Sequence, residues 1–350
     1  MTPSSAAIPA AAIPAAGIPA DVEPAPADEA VPRFRAWAWR DGRVETLPDV
    51  DAVGAAAADP GVYLWVDVPH DDPVLLAELS AHLGLHELVV EDIVEQNQRA
   101  KFELTDKVLH LVMFALSYDG GLESTEIDFV VGERFLLSAH APTWDAQGGH
   151  HFRGGVDPFL AGGPDYVLWA IVDELVDGYF PVFDRLGDKL DDIQDEVVRK
   201  PSRGIVEDLF AIKRDLLAIR HAINPQREIF NQLTNRELTL VRPERIIYFR
   251  DVYDHLIRLT DELDSLRDMV GTTLDAYLTT INNDLSEVMK RLTAVTVILA
   301  GVAAISGLFG MSEAGSAFEG AQHFGFWIVI GVALALGAIA LAYFRRIGWL

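Results

Sequence analysis

Leu292–Ser312, LTAVTVILAGVAAISGLFGMS, holds no charged residue. At about 1.5 Å of rise per residue a helix of roughly 20 residues is about 30 Å long, the thickness of one hydrocarbon core. The stretch reads as a membrane-crossing helix. Its helical pattern starts far upstream: Phe249, Val252, Leu256, Leu259, Leu263, Leu266, Val270, Leu274, Tyr277, Ile281, Leu285, Val288 and Leu292 recur every three or four positions, the spacing of one helix face. One continuous helix, with a cytoplasmic part over 241–291 and a span over 292–312, is expected to stand well out of the bilayer before entering it.

A loop, residues 313–323, follows, with Glu313 and Glu319 and no Lys or Arg. A second apolar run, 324–344, leads to a short C-terminal end, 345–350. Lys290 and Arg291 flank the first run on the side where the chain comes in, and Arg345 and Arg346 flank the second where it leaves. The positive-inside bias then puts both termini in the cytoplasm and the acidic loop outside.

Upstream, residues 1–31 are rich in Ala and Pro, with AIPA-like units and no basic leader, which predicts a disordered tail rather than a signal peptide or a span. From residue 32 to about 160 the texture is α+β. FRAWAW (Phe34–Trp39), a DGR turn and VYLWVDV (Val62–Val68) read as strands, Asp72–Leu83 as a helix, and VLHLVMFAL, EIDFVVG and RFLLSAH as an antiparallel hairpin series. WDAQGGHHFRGG (Trp144–Gly155) reads as a loop with His150 and His151 in solvent. Residues 161–240 read as acidic helices: Tyr166–Arg199 as one segment, then about Gly204–Glu237, in which Pro225 predicts a kink or local unwinding.

The chain has 350 residues, 53 Asp and Glu against 28 Lys and Arg, a formal charge of −25, and no cysteine. The charge disfavours nucleic acid as a partner and favours cations. Without thiolates, any metal must be met by oxygen or imidazole. No G-x-S-x-G, Walker A, G-x-G-x-x-G or H-E-x-x-H pattern occurs, and nothing supports an enzyme.

Two spans cannot enclose an aqueous path within one chain, so a channel would have to be an oligomer. Small residues along the first span, among them Ala294, Ala300, Gly301 and Gly307, suit close helix packing, but they suit a plain two-helix anchor equally. Thr272, Asp275, Thr279, Asn282 and Ser286 share one face of the long helix. That face is either solvated or the polar lining of a tube, with Met289, Leu292, Leu299 and Ala300 as an apolar constriction beyond it.

LHELVVEDIVEQNQRAKFE (Leu85–Glu103), YFRDVYDH (Tyr248–His255), SEVMKRLT (Ser286–Thr293), ISGLFGMS (Ile305–Ser312) and the closing Trp349 and Leu350, in this order and ahead of two terminal apolar runs, resemble the CorA family of divalent-cation channels. The resemblance runs from about Leu64 to Leu350. It implies a funnel-shaped homopentamer in a bacterial inner (plasma) membrane, a non-enzymatic carrier of Mg2+, with Co2+ or Ni2+ also passing. It further implies that Gly310, Met311 and Ser312 form the selectivity filter, in place of the family's Gly-Met-Asn. By the same resemblance Asp275, Ser286, Met289, Leu292, Thr296, Ala300, Ala303 and Gly307 line the pore, and Asp92 and Asp251 hold a regulatory Mg2+ between neighbouring copies. Glu313 and Glu319 would be acidic groups at the outer mouth. A zinc-transporting, proton-coupled branch of the same superfamily and a non-conducting, membrane-anchored metal sensor are the alternatives.

Overall fold

The structure, a computed structural model, describes residues 33–96, 99–105, 107–199, 201–235, 240–310 and 324–349. The tail expected over 1–31 and the loop expected over 313–323 lie outside these residues.

Strands β1 (Arg35–Arg40) and β2 (Arg43–Thr46) are joined by Asp41 and Gly42, at φ 49° and 81°, the positive-φ pair that a tight primed hairpin turn requires. With β3 (Tyr63–Pro69), β4 (Lys101–Leu104), β5 (Val108–Tyr118), β6 (Leu122–Gly132) and β7 (Phe135–His140) they form one seven-stranded sheet, ordered β2-β1-β3-β7-β6-β5-β4. The hairpins β5–β6 and β6–β7 are antiparallel, and β3 pairs parallel with β7, Leu64 opposite Phe135. That parallel contact makes the sheet mixed, one of the two forms, antiparallel or mixed, expected of the α+β domain.

Successive residues along β3 part to opposite faces: Leu64, Val66 and Val68 join one core and Trp65 the other, as a period of two dictates. The first face is covered by α1 (Val50–Ala58), α2 (Pro73–Leu83) and α3 (Glu87–Glu95). The opposite face is covered by α4 (Asp157–Ala161), α5 (Pro164–Asp177) and the long helices that follow. Between β3 and β7 the buried carboxylate of Asp67 accepts from Ser138 Oγ (2.6 Å) and contacts His140 Nε2 (2.9 Å) and Arg35 (2.7 Å), so the charge is compensated where the parallel pair closes.

The acidic segment expected over Tyr166–Arg199 is two helices, α5 and α6 (Phe180–Arg199), parted at Gly178 and Tyr179. Tyr179 is fully buried, and the Phe114 carbonyl and Gln226 Oε1 share its single hydroxyl proton. That buried anchor turns the chain, and no helical periodicity announces it. Of the kink or local unwinding expected at Pro225, the unwinding is absent: α7 (Arg203–Asn235) is helical through it. Gln226 Nε2 donates to Ala222 O at 3.1 Å within the proline turn.

After a 3-10 turn at Pro243–Arg245, α8 runs from Ile246 to Gly310, 65 residues, or about 100 Å. Phe230 of α7 stacks on Phe249 of α8 at 6.3 Å, so the two form a hairpin. Phe180 meets His255, while Gln194 donates to Thr273 at 3.0 Å, so α6 runs alongside α8 in the same direction. The apolar face of α8 is buried by these neighbours from Phe249 to Tyr277 and uncovered from Ile281 to Leu299. Helix α9 (Phe324–Arg346) then packs against the distal part of α8.

Candidate ion pathway and metal sites

Asp275, Ser286, Met289, Leu292, Thr296, Ala300, Ala303 and Gly307 are all exposed in the single chain. At about 100° per residue they fall within one arc of α8. The other side of the helix carries Val297, Ile298, Gly301, Val302 and Ile305, which line a seam with Ala333, Leu336, Gly337 and Ala340 of α9. Ala294 is fully buried on that side as well. Among the described residues, α9 thus covers one face of α8 and the other is uncovered.

Hydroxyls on the open face are tied to the helix. Thr279 donates to Asp275 O (2.8 Å), Ser286 to Asn282 O (2.8 Å) and Thr296 to Leu292 O (2.8 Å). With each proton spent on a carbonyl four residues back, the oxygen lone pairs are left as acceptors, suited to the outward-pointing hydrogens of a hydrated cation. Gly310 is the last residue of α8. Met311, Ser312, Glu313 and Glu319 lie outside the described residues.

Among the described residues one helix, Pro243–Gly307, is long and apolar enough to cross a membrane. Only 6% of its most apolar window is buried within the chain, which separates it from the core helix of a soluble protein.

Outside the apolar part of α8 the structure places Asp92 and Asp251 in separate clusters. Asp92, on α3, is ion-paired with Lys101 of β4, and its carboxylate lies within 4.8 Å of ligand atoms of Glu103 and His110. His110 is buried against Asp128 at 2.7 Å. Burial pushes the Asp128 carboxyl above the usual carboxylate range, with the His110 hydrogen bond pulling the other way. The Nδ1 atom of His110 has no hydrogen-bond partner among the described residues.

Asp251, on α8, is 67% exposed and clusters with Asp173 of α5 and with His255 one turn on. Asp177 lies 3.0 Å from His255 Nδ1. Burial and the neighbouring Asp173 charge raise the Asp177 carboxyl, against the pull of His255. A crowd of carboxylates with one imidazole is an oxygen-rich donor set, and Mg2+, which keeps several waters and takes one or two carboxylates, fits it. The Asp92 side fits less simply, because the Lys101 ammonium already sits on the carboxylate.

Sequence reasoning missed Asp173, Asp177, His255 and Lys101. The i, i+4 pairs Asp173/Asp177 and Asp251/His255 were visible as spacings; that the two helices face each other was not. The expectation that His150 and His151 are solvated holds for the His150 ring, which is 52% exposed, and is corrected for His151, which is 16% exposed. His151 opens a 3-10 turn, Nε2 2.8 Å from Asp173, and His150 Nδ1 lies 2.5 Å from Glu174. The acidic string Asp184, Asp188, Asp191, Asp192, Asp195 and Glu196 of α6 is exposed.

A family model described as CorA-like Mg2+ transporter protein matches residues 60–346. The cobalt/magnesium transport protein CorA of Thermotoga maritima is 31% identical over 300 residues, covering 82% of this chain and 83% of that protein. The zinc transport protein ZntB of Cronobacter sakazakii is 24% identical over 206 residues, covering 57% and 60%. The complete structure of the CorA magnesium transporter from Methanocaldococcus jannaschii superposes with a TM-score of 0.73 at 20% identity, over 90% of this chain and 98% of that one. The full-length CmaX structure gives 0.68 at 19% identity, over 91% and 99%.

Proposed function

The chain belongs to the CorA-like Mg2+ transporter family, and on that premise we propose that it is a divalent-cation channel assembled as a homopentamer around α8. Its cargo is Mg2+, with Co2+ and Ni2+ also passing, and it sits in a bacterial inner membrane with both termini cytoplasmic and α9 as a second span. The observation that carries this reading is the two-sidedness of α8. One face is closed by α9, and the other, from Asp275 to Gly307, is left uncovered by the described residues. Symmetry about that face supplies the tube that one chain cannot.

Asp275 then forms a carboxylate ring at the inner end, the lone pairs of Ser286 and Thr296 meet hydrated cations, and Met289 and Leu292 narrow the path by dewetting. The inside-negative potential drives uptake: moving a divalent charge across 100 mV is worth about 4.6 kcal/mol. Internal Mg2+ closes the channel by binding between Asp92 of one copy and Asp251 of its neighbour. Gly310, Met311 and Ser312 form the filter, with Glu313 and Glu319 concentrating cations outside it. A Ser at the last filter position presents a short hydroxyl in place of a longer carbonyl-bearing side chain, which gives a wider mouth and a weaker ion preference.

The likeness to a zinc transport protein supports a second reading, zinc transport coupled to protons. The test is cation flux into proteoliposomes with Mg2+, Co2+, Ni2+ and Zn2+, with and without internal Mg2+, at two pH values. Mg2+ flux that follows the membrane potential, stops with high internal Mg2+ and disappears in Gly310→Trp is the expected result. Ser312→Asn is expected to sharpen the preference for Mg2+. Zinc flux that follows a pH gradient would replace the first reading with the second, and absence of any flux would leave a metal-sensing scaffold.

A further inference from the structure

The glycine-rich loop between β7 and α4 brings its two adjacent histidines onto two adjacent acids of α5. His150 Nδ1 lies 2.5 Å from Glu174 Oε2, and the His150 backbone N–H donates to the same oxygen at 2.9 Å. His151 Nε2 lies 2.8 Å from Asp173 Oδ2. The approach is close enough to need Gly149: a Cβ there would stand 2.2 Å from the Glu174 side chain. The His151 ring packs against the rings of Trp169 (4.9 Å) and Phe159 (5.7 Å), and the two imidazoles lie 4.1 Å apart.

From this geometry we propose that His150, His151 and Glu174 form a site for a borderline divalent cation, of which Zn2+ is the type, with ligands distinct from Asp92 and Asp251 and sharing with the Asp251 cluster only Asp173, which stands behind His151. Ligand atoms of the three lie within 4.8 Å of one another, a gap that small side-chain rotations close around an ion. Asp173 accepts from His151 Nε2–H, which fixes the tautomer with its lone pair on Nδ1. A carboxylate backing a ligating imidazole is the usual second layer of a zinc site. Three protein ligands and a water make a four-coordinate Zn2+ centre, and the half-exposed His150 leaves a way in. Two imidazoles select Zn2+, Co2+ or Ni2+ over Mg2+, which takes oxygen. The site does not depend on the transport reading, because binding is measured without flux.

The test is calorimetric titration of the full chain in detergent with Zn2+ in the presence of excess Mg2+, with Co2+ as a visible-absorption probe. One Zn2+ equivalent per chain that Mg2+ does not displace is expected, together with Co2+ bands of nitrogen ligation. His150→Ala/His151→Ala should lose that equivalent, and Asp173→Asn should weaken it roughly ten- to hundredfold. Asp92→Ala, in a separate cluster, should keep it. His150→Ala alone alters an exposed ring, and circular dichroism reports whether each variant is folded. Zn2+ binding that is unchanged in the double variant, displaced by Mg2+ or lost in Asp92→Ala would overturn the site.

Discussion

Lys101 and Asp92 form a short-range ion pair in which both side chains are about one quarter exposed or less. The pair bears directly on regulation, since a cation that binds Asp92 must share its carboxylate with an ammonium. Removing that ammonium raises the local negative potential at Asp92 and favours Mg2+. In Lys101→Met the internal Mg2+ needed to halve flux is expected to fall about two- to fivefold, as the loss of a partly exposed pair worth about 0.4–1 kcal/mol implies. An unchanged threshold in proteoliposomes of controlled internal Mg2+ would mean that Asp92 does not take part in closure. The candidacy of Asp92 and Asp251 was legible through the family resemblance. The lysine beside one of them and the α5 aspartates beside the other came only from the meeting of β4 with α3 and of α5 with α8, whereas His255 stands one turn from Asp251 on α8 itself.

At the scale of elements, α8 changes character along its length. The series Phe249, Val252, Leu256, Leu259, Leu263, Leu266, Val270 and Tyr277 is buried by α5, α6 and α7, while Leu285, Val288 and Leu292, in the same periodic series, are exposed. One hydrophobic period therefore serves two environments, the core of the protein and, in the proposed channel, a lipid or subunit contact. Phe249 is fully buried against Phe230, and Phe249→Ala should destabilise the sheet-and-helix domain by about 3–5 kcal/mol. Val198→Ala, at a position 80% exposed, should leave it unchanged within about 0.5 kcal/mol. Chemical denaturation of the full chain in detergent, followed by tryptophan fluorescence, separates the two. Equal midpoints would show that α7 does not hold α8 in place.

For the whole molecule, the proposed pore is a property of several chains, and the absence of cysteine makes it directly testable. A cysteine placed at Met289, on the open face of α8, should cross-link to its counterpart on a neighbouring chain under mild oxidation. Disulfides form only when Cα atoms come within about 7 Å, and in a closing ring the α8 helices approach that limit near the constriction. Ile339→Cys, exposed on α9 away from the seam with α8, should remain monomeric on a denaturing gel. Equal cross-linking at the two positions would place α9, and not α8, around the axis.

The sequence by itself determined the long helix, its apolar span and the second apolar run, because helical period and hydrocarbon thickness act locally along the chain. Hairpin strands β5 to β7 were legible for the same reason: their turns and alternation are short-range. Only tertiary structure decided that β3 joins β7 in parallel, that Tyr179 divides α5 from α6 and that α9 covers one face of α8. It also decided that His150 and His151 face Glu174 and Asp173. Each of these is a contact between segments far apart in the chain, made where a buried group finds its partner, and no local pattern records the partner.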